Sequence, residues 1–141
     1  MFFMAGKQAL NLEMFFQALG DRTRLRLLNL MGDKELCVCY LVQVLHMPQP
    51  KISRHLAYLR RSGIVQARRE GKWMHYRIVM PAHSGAAGIL RQTLDALRDE
   101  PPMQADRARL EKACCSPRRP RALLDAPMPN AVNAEPCEVC G

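Results

Sequence analysis

The sequence has no uninterrupted apolar segment of the kind that crosses a membrane, which would need about 18 residues without charge. The apolar residues within 1–16 are interrupted by Lys7 and Glu13, and no cleavage site of small residues follows them. We therefore expect neither a signal peptide nor a membrane partner, and we expect a cytoplasmic protein. Without export, the six cysteines are expected to be thiols or metal ligands rather than a disulfide framework.

Acidic residues are scarce as well: 13 Asp and Glu stand against 21 Lys and Arg, which gives a formal net charge of +8. This excess favours a polyanionic partner, with nucleic acid first, although a basic surface that binds nothing would have the same composition. With 48% hydrophobic residues among 141, the chain can fold one domain of about 100 residues. We place that domain at residues 1–100, with a helical extension and a flexible tail at 101–141.

Four helices are predicted in the first half of the chain, because apolar residues recur three and four positions apart. The first ends at Gly20, and the second runs from a capping Asp21 to Gly32. The third is expected from about Cys39 to Met47, and the fourth from the Pro48-Gln49-Pro50 break to Ser62-Gly63, since proline suits a first helical turn. The predicted inward residues are Leu12, Phe15, Phe16, Leu19, Leu25, Leu28, Met31, Leu41, Val44, Leu45, Ile52, Leu56 and Leu59.

The hydrophobic period changes after residue 63. Two strand-like runs, 64–69 and 73–79, flank Glu70-Gly71-Lys72 and predict a β-hairpin. A fifth helix follows up to Pro101-Pro102, and a further helical stretch covers 104–113. Five prolines after Cys114 and few large apolar residues predict a mobile tail. The predicted fold is therefore mainly α with a β-hairpin wing.

Two short helices joined by a tight turn and followed by a hairpin form a winged helix-turn-helix, whose second helix enters the major groove of DNA. Gln and Arg can pair with base edges, whereas Lys, Ser and His more often hold phosphates, and cations on a hairpin tip can hold a neighbouring phosphate. A solvated helix face and an ordinary charged turn could contain the same residues, but the order of the elements favours DNA binding. The predicted contacts are Gln49, Lys51, Ser53, Arg54 and His55 on the fourth helix and Arg68, Arg69 and Lys72 on the hairpin.

Several stretches resemble the ArsR/SmtB family of metalloregulators, and within it the arsenic-responsive type. The resemblance covers roughly residues 8 to 100. The matching stretches are Leu19-Gly20-Asp21, Thr23-Arg24-Leu25, Glu35-Leu36-Cys37-Val38-Cys39, Gln49-Pro50-Lys51-Ile52-Ser53-Arg54-His55-Leu56, Arg68-Arg69-Glu70-Gly71-Lys72-Trp73 and Tyr76-Arg77.

The resemblance implies a repressor that binds double-stranded DNA at an inverted-repeat operator and is released when a soft metal or metalloid binds. It also implies a homodimer that forms through the first and last helices of the domain. In this sequence those helices offer the faces of Phe15/Phe16 and of Ile89/Leu94/Leu97. The same apolar faces could pack inside one subunit, but a two-fold dimer explains why so short a chain has an apolar helix at each end.

Thiolates select soft ions, so cysteines with few carboxylates nearby favour As(III), Sb(III), Cd(II), Zn(II) or Cu(I). On a regular helix Cys37 and Cys39 would point about 200° apart, whereas an extended segment places both on one side, about 6.6 Å apart along the backbone. We hypothesise that capture of As(III) or Sb(III) pulls this segment out of helical conformation and weakens the support of the recognition helix. Two small buried cysteines at a helix start are the alternative.

As(III) prefers three thiolates, and here the sequence departs from the family. Val42 stands where some members have a third Cys, Tyr40 where the family usually has Asp, and Pro48 where Ser is common. The adjacent pair Cys114/Cys115 could complete the site, or could bind a methylated trivalent arsenical on its own.

Cys137 and Cys140 form half of a common zinc-site pattern, but no second half lies near them. A thiol oxidoreductase built on this pair would need a strand followed by a helix, and nothing near residue 137 has that pattern. We therefore expect no enzymatic activity and no constitutive cofactor. A redox switch, in which Cys37/Cys39 or Cys114/Cys115 oxidise, is the remaining alternative to a metalloid sensor.

Overall fold

A computed structural model describes residues 10–115 and 123–131. Within that part of the chain, helices predominate and one antiparallel sheet completes the fold. The elements in chain order are α1 (Leu12–Leu19), α2 (Arg22–Met31), β1 (Lys34–Cys37), α3 (Val38–Leu45), α4 (Gln49–Arg61), β2 (Val65–Glu70), β3 (Trp73–Ile78), α5 (Ser84–Arg98), α6 (Pro101–Cys115) and β4 (Asn130–Ala131).

Helices α2 and α4 begin where local sequence signals predict. The side chain of Asp21 accepts a hydrogen bond from the backbone N–H of Arg24 at 3.0 Å, which confirms the predicted cap of α2. Pro50 lies in the first turn of α4, where its missing N–H breaks no helical hydrogen bond. Helix α3 starts one residue before the predicted Cys39 and ends at Leu45, because His46 adopts a left-handed conformation with φ of 54°. This residue opens the tight turn that leads into α4.

The sheet has the strand order β2-β3-β1-β4. Strands β2 and β3 form the predicted hairpin, with Glu70 opposite Trp73 and a two-residue turn in which Gly71 has a φ of +59°. Strand β1 was not predicted; it pairs with β3 and places Cys37 opposite His75. Together with the helix pair α3–α4, the hairpin forms a winged helix-turn-helix, as the sequence predicts.

The core lies between the sheet and the inner faces of α2, α3 and α4. The inner residues of α4 are fully buried, so the recognition helix is fixed along its whole inner face. The predicted apolar face of α1 is divided: Phe15 is fully buried, whereas Phe16 is 51% and Leu12 45% exposed. On α5, Leu97 is buried and Ile89 and Leu94 are partly buried against the core, so both helices contribute to the core of one protomer.

The described residues after 100 pack against the rest of the domain. Helix α6 is longer than the predicted 104–113, and its buried Asp106 accepts two hydrogen bonds from Arg26 of α2, at 2.8 and 2.9 Å. Among the described residues, Cys114 and Leu123 are buried in the core and β4 pairs with β1, whereas the mobility predicted for the tail from Cys114 onward stays a prediction. Buried apolar contacts and this ion pair hold the segment, and neither can be recognised from composition. The division of the chain at residue 100 remains a prediction.

Candidate DNA-binding surface and thiol pair

The predicted contact face of α4 is open over its first two turns. Gln49, Lys51 and Arg54 are exposed, and their side chains form no hydrogen bond or ion pair with another residue in 10–115 or 123–131. On the opposite side of the helix, Ile52 and Leu56 are fully buried. The donors that can reach a major groove therefore project from a helix that is held rigidly from behind.

Ser53 and His55 are half-buried rather than exposed. The Nδ1 atom of His55 lies 3.3 Å from Nη1 of Arg24 and 3.8 Å from Oδ1 of Asp21. Burial, together with the positive charges of Arg24 and other basic neighbours, lowers the pKa of His55, and the charge of Asp21 only partly opposes this shift. The imidazole is directed towards the start of α2, so its predicted role as a DNA contact stays a prediction with less geometric support than that of Arg54.

Arg24 is not among the predicted contacts, although it lies in one of the matching stretches. Its guanidinium donates to the carbonyl oxygens of Ala18 at 2.9 Å and Gln17 at 2.7 Å, and it stacks on the ring of Tyr58 at 4.2 Å. It therefore joins the end of α1 and the start of α2 to α4. An arginine three residues after a capping Asp, within a matching stretch, is the signal that could have identified this role.

The predicted contacts of the wing differ from Gln49, Lys51 and Arg54 of α4, because each side chain on the wing has an intramolecular partner. The guanidinium of Arg68 donates to both carboxylate oxygens of Glu35: Nη2 lies 2.7 Å from Oε1, and Nε lies 3.1 Å from Oε2. This carboxylate raises the pKa of Arg68, so the guanidinium stays charged. Arg69 donates to the carbonyl oxygen of Gly71 at 3.1 Å, and the ammonium of Lys72 lies 4.9 Å from the ring centroid of Trp73.

Cys37 and Cys39 meet at the junction of β1 and α3. Cys37 has extended backbone angles (φ −66°, ψ 144°) as the residue that precedes α3, whereas Cys39 lies in the first turn of that helix. Because the chain changes direction between them, the two Sγ atoms lie 2.7 Å apart. The regular helix through both cysteines, from which an unwinding step was predicted, is not what the structure shows, because Cys37 already lies outside α3. That ligand capture weakens the support of the recognition helix stays a prediction.

The contact between the two thiols makes them electrostatically unequal. The hydrogen bond from the Cys39 thiol lowers the pKa of Cys37 to about 7, although burial acts in the opposite direction. The same bond, with Cys39 as donor, raises the pKa of Cys39. A backbone N–H, that of Met74 in β3, also helps to lower the pKa of Cys37. A thiolate near neutral pH is the nucleophilic, metal-binding form of cysteine.

The other predicted thiols are placed less favourably. Cys114 is only 4% exposed and lies within 4 Å of the carbonyl oxygen of Glu111. Nothing is described of the Cys115 side chain, and Cys137 and Cys140 lie outside the described residues. Within 10–115 and 123–131, no group of three or more His, Cys, Asp or Glu side chains could hold a metal ion. The third ligand of a metalloid therefore stays unassigned.

The helix pair α3–α4, the hairpin wing and the exposed basic face of α4 together define the class of protein, which is a winged-helix DNA-binding regulator. Residues 21–67 match the model of the arsR family of bacterial regulatory proteins. The chain is 45% identical over 82 residues to the arsenic resistance transcriptional regulator ArsR2 of Pseudomonas putida (strain KT2440), covering 57% of this chain and 71% of that protein. The protein therefore belongs to the arsR family of bacterial regulatory proteins.

Two further similarities bear on its function. The chain is 49% identical over 76 residues to the arsenical resistance operon repressor of Escherichia coli (strain K12), which covers 53% of this chain and 65% of the relative. The crystal structure of the AntR antimony-specific transcriptional repressor superposes with a TM-score of 0.50 at 28% identity, covering 68% of this chain and 90% of that one. The chain therefore spans somewhat less than two thirds of the length of the E. coli repressor, and more of the AntR chain. No helix among the described residues is both long and apolar enough to cross a membrane.

Proposed function

We propose that the protein is a transcriptional repressor that binds an inverted-repeat operator and releases it when As(III) or Sb(III) binds Cys37 and Cys39. The observation that carries this proposal is the convergence of the two sulfur atoms at the start of α3, directly before the helix that would enter the major groove. The relatives named for arsenical resistance and antimony support the choice of a metalloid effector. Two thiols in contact suit a soft ion better than Mg²⁺ or Ca²⁺, which prefer oxygen ligands.

The chemistry needs no oxidant or reductant. Arsenous acid can condense with two thiols to form two As–S bonds, and two water molecules leave with the thiol protons. The lowered pKa of Cys37 makes its thiolate available near neutral pH. The partly exposed Cys39 offers the route of entry, because Cys37 itself is only 1% exposed.

Operator binding of this kind needs two copies of the recognition helix, since an inverted repeat has two half-sites. The exposed side chains of Leu12 and Phe16 on α1, with partly buried Ile89 and Leu94 on α5, supply an apolar surface that suits a two-fold interface. Phe15 and Leu97, which the sequence also assigned to this interface, are buried inside one protomer and can only support it from behind.

The test is fluorescence anisotropy of a labelled inverted-repeat promoter fragment from the protein's own operon, titrated with arsenite. The wild type should release the fragment, whereas Cys37→Ser should bind it equally well and keep it. If the wild type and Cys37→Ser released the fragment at the same arsenite concentration, Cys37 and Cys39 would not be the metalloid site, and the proposal would be overturned.

A methylated trivalent arsenical acting through Cys114 and Cys115 is the alternative effector. The burial of Cys114 requires the end of α6 to open before the adjacent pair could bind. A Cys114→Ser/Cys115→Ser variant should therefore respond unchanged to arsenite. A loss of its response to methylarsenite alone would assign that ligand to the second pair.

A further inference from the structure

Strand β1 links the thiol pair to the wing. Glu35 and Cys37 are two residues apart on a strand, so their side chains lie on the same face of the sheet. Cys37 lies opposite His75 of β3, and Glu35 reaches across β3 to Arg68 of β2. One strand of four residues therefore contains both Glu35, which binds the predicted DNA contact Arg68, and Cys37, which is proposed to bind the metalloid.

The Glu35–Arg68 pair occupies the hydrogen-bonding edge that a phosphate would need. Both carboxylate oxygens accept from the guanidinium, in the two-pronged geometry that arginine also uses towards phosphate. The carboxylate is mostly buried, with 11% of its side chain exposed, whereas the side chain of Arg68 is 46% exposed. Arg68 is therefore the partner that a phosphate can reach, and the phosphate must compete with Glu35 for it.

Resting on the function proposed above, we infer that Glu35 is an intramolecular competitor of DNA for Arg68, and that metalloid binding releases the operator partly by strengthening this competitor. The thiols are in contact in the same arrangement in which Glu35 holds Arg68. A ligand bound to both sulfur atoms fixes the end of β1 and therefore favours this arrangement over one in which Arg68 binds DNA. Such a difference in affinity between two states is all that the coupling requires.

The neighbouring pair on the wing supports a direct path. His75, which is 2% exposed, lies opposite Cys37, and its Nε2 is 2.9 Å from Oε1 of Glu70 at the end of β2. The backbone N–H of Met74 interacts with the Cys37 sulfur. A displacement of Cys37 therefore reaches both strands of the hairpin without passing through the recognition helix.

The first test is a double-mutant cycle on operator affinity, measured by anisotropy without metalloid. Glu35→Gln should raise affinity about two- to fivefold, the range of exposed charge pairs, but should have no effect when Arg68 is replaced by alanine. Glu100→Gln, which removes the partner of Arg22 at 3.2 Å, is the matched control and should leave affinity unchanged. An equal increase in affinity with Arg68 present and with Arg68→Ala would mean that Glu35 acts only through its charge, and would overturn the inference. No increase in affinity in either case would overturn it as well.

The second test separates this inference from the proposed function. In Glu35→Gln, the ratio of operator Kd values with and without arsenite should be about two- to fivefold smaller than in the wild type. Arg68→Lys, which keeps the charge but loses the two-pronged geometry, should reduce the ratio in the same direction. A full response in both variants would overturn the inference and leave the proposed function intact, whereas a wild type that does not respond would overturn the proposed function itself.

Discussion

Recognition helix and wing both present cations to the predicted DNA surface, but the structure treats them differently. Arg54 of α4 projects from a helix whose inner residues are fully buried, and it has no hydrogen-bond or ion-pair partner in the described part of the chain. On the wing, Arg68 is held by Glu35 and Lys72 lies over Trp73. A side chain without partners can engage DNA at no internal cost, whereas a partnered one must exchange contacts.

The difference suggests a division of labour. A rigid helix with free donors is suited to reading bases, because its geometry is fixed before DNA arrives. A wing whose cations exchange partners is suited to adjusting affinity, since small changes in the competing contacts alter how much the exchange costs. The thiol pair lies where α3, which supports α4, meets β1, which pairs with the wing.

The largest effect is expected from the inner face of α4. Leu56→Ala removes a fully buried side chain and should lower the free energy of unfolding by about 2–5 kcal/mol, through reduced apolar burial and the cavity left behind. Urea unfolding at a fixed protein concentration measures it, with the exposed Arg60→Ala on the same helix as control, expected within about 0.5 kcal/mol of the wild type. Equal stability of the two variants would mean that α4 is not held from behind.

The next effect concerns the free donors of α4. Arg54→Ala should weaken binding to the operator by about 1–3 kcal/mol if the guanidinium reads a base edge, and should weaken binding to unrelated DNA much less. Anisotropy on both fragments measures the difference, and Arg60→Ala in the last turn of α4 is again the matched control. Equal losses of affinity on the two fragments would show that Arg54 contacts a phosphate rather than a base. The recognition helix and the wing would then not differ in how they bind DNA.

A smaller effect concerns Asp21, which caps the N-terminus of α2. Asp21→Ala should cost about 1 kcal/mol of stability at neutral pH, because the helix cap is removed. Burial alone would raise the pKa of Asp21, but hydrogen bonds from the backbone N–H groups of Arg24 and Thr23 and nearby positive charges lower it. The stabilisation is therefore present above the ordinary pKa of Asp and disappears as the pH falls through the lowered value.

Urea unfolding at neutral and acid pH measures this dependence. The difference in the free energy of unfolding between wild type and Asp21→Ala should shrink in acid. Asp21→Asn keeps an acceptor for the cap but has no charge, so its difference from Asp21→Ala should be the same at both pH values. A difference that is constant with pH would show that the charge of Asp21 does not contribute.

The smallest effect is expected on the wing. Lys72→Ala should weaken binding equally on all sequences, and should make the dependence of log K on log salt concentration shallower by about 0.9 for each phosphate that the protein no longer neutralises. Salt titrations measure this slope, with Lys112→Ala in the exposed last turn of α6 as control. A sequence-dependent decrease in affinity for Lys72→Ala would assign base reading to the wing and contradict the comparison.

Local signals were sufficient for much of the fold and insufficient for the site. The capping Asp21, the proline at the start of α4 and Gly71 in the hairpin turn each act within a few residues, so the sequence predicts α1 to α4 and the hairpin. Strand β1 has only four residues and exists because β3 pairs with it, which no local pattern reveals. The Glu35–Arg68 and Arg26–Asp106 pairs join residues far apart in sequence and are invisible for the same reason.

The thiol pair shows how the spacing of two residues can indicate that they meet while leaving open the backbone geometry in which they do so. The spacing of Cys37 and Cys39 indicates a shared ligand, and regular helical geometry would then require unwinding. The chain avoids this requirement because Cys37 ends a strand and Cys39 lies in the first turn of a helix. Where an element begins decides such a question, and helix ends are the least certain part of any prediction from sequence.

The most direct test of the central claim is to count arsenic atoms bound per chain by native mass spectrometry after arsenite treatment. We expect one arsenic atom per chain in the wild type and in Cys114→Ser/Cys115→Ser, and none in Cys37→Ser/Cys39→Ser. Stoichiometric arsenic in the last variant would contradict the account, because the metalloid would then bind away from the junction of β1 and α3.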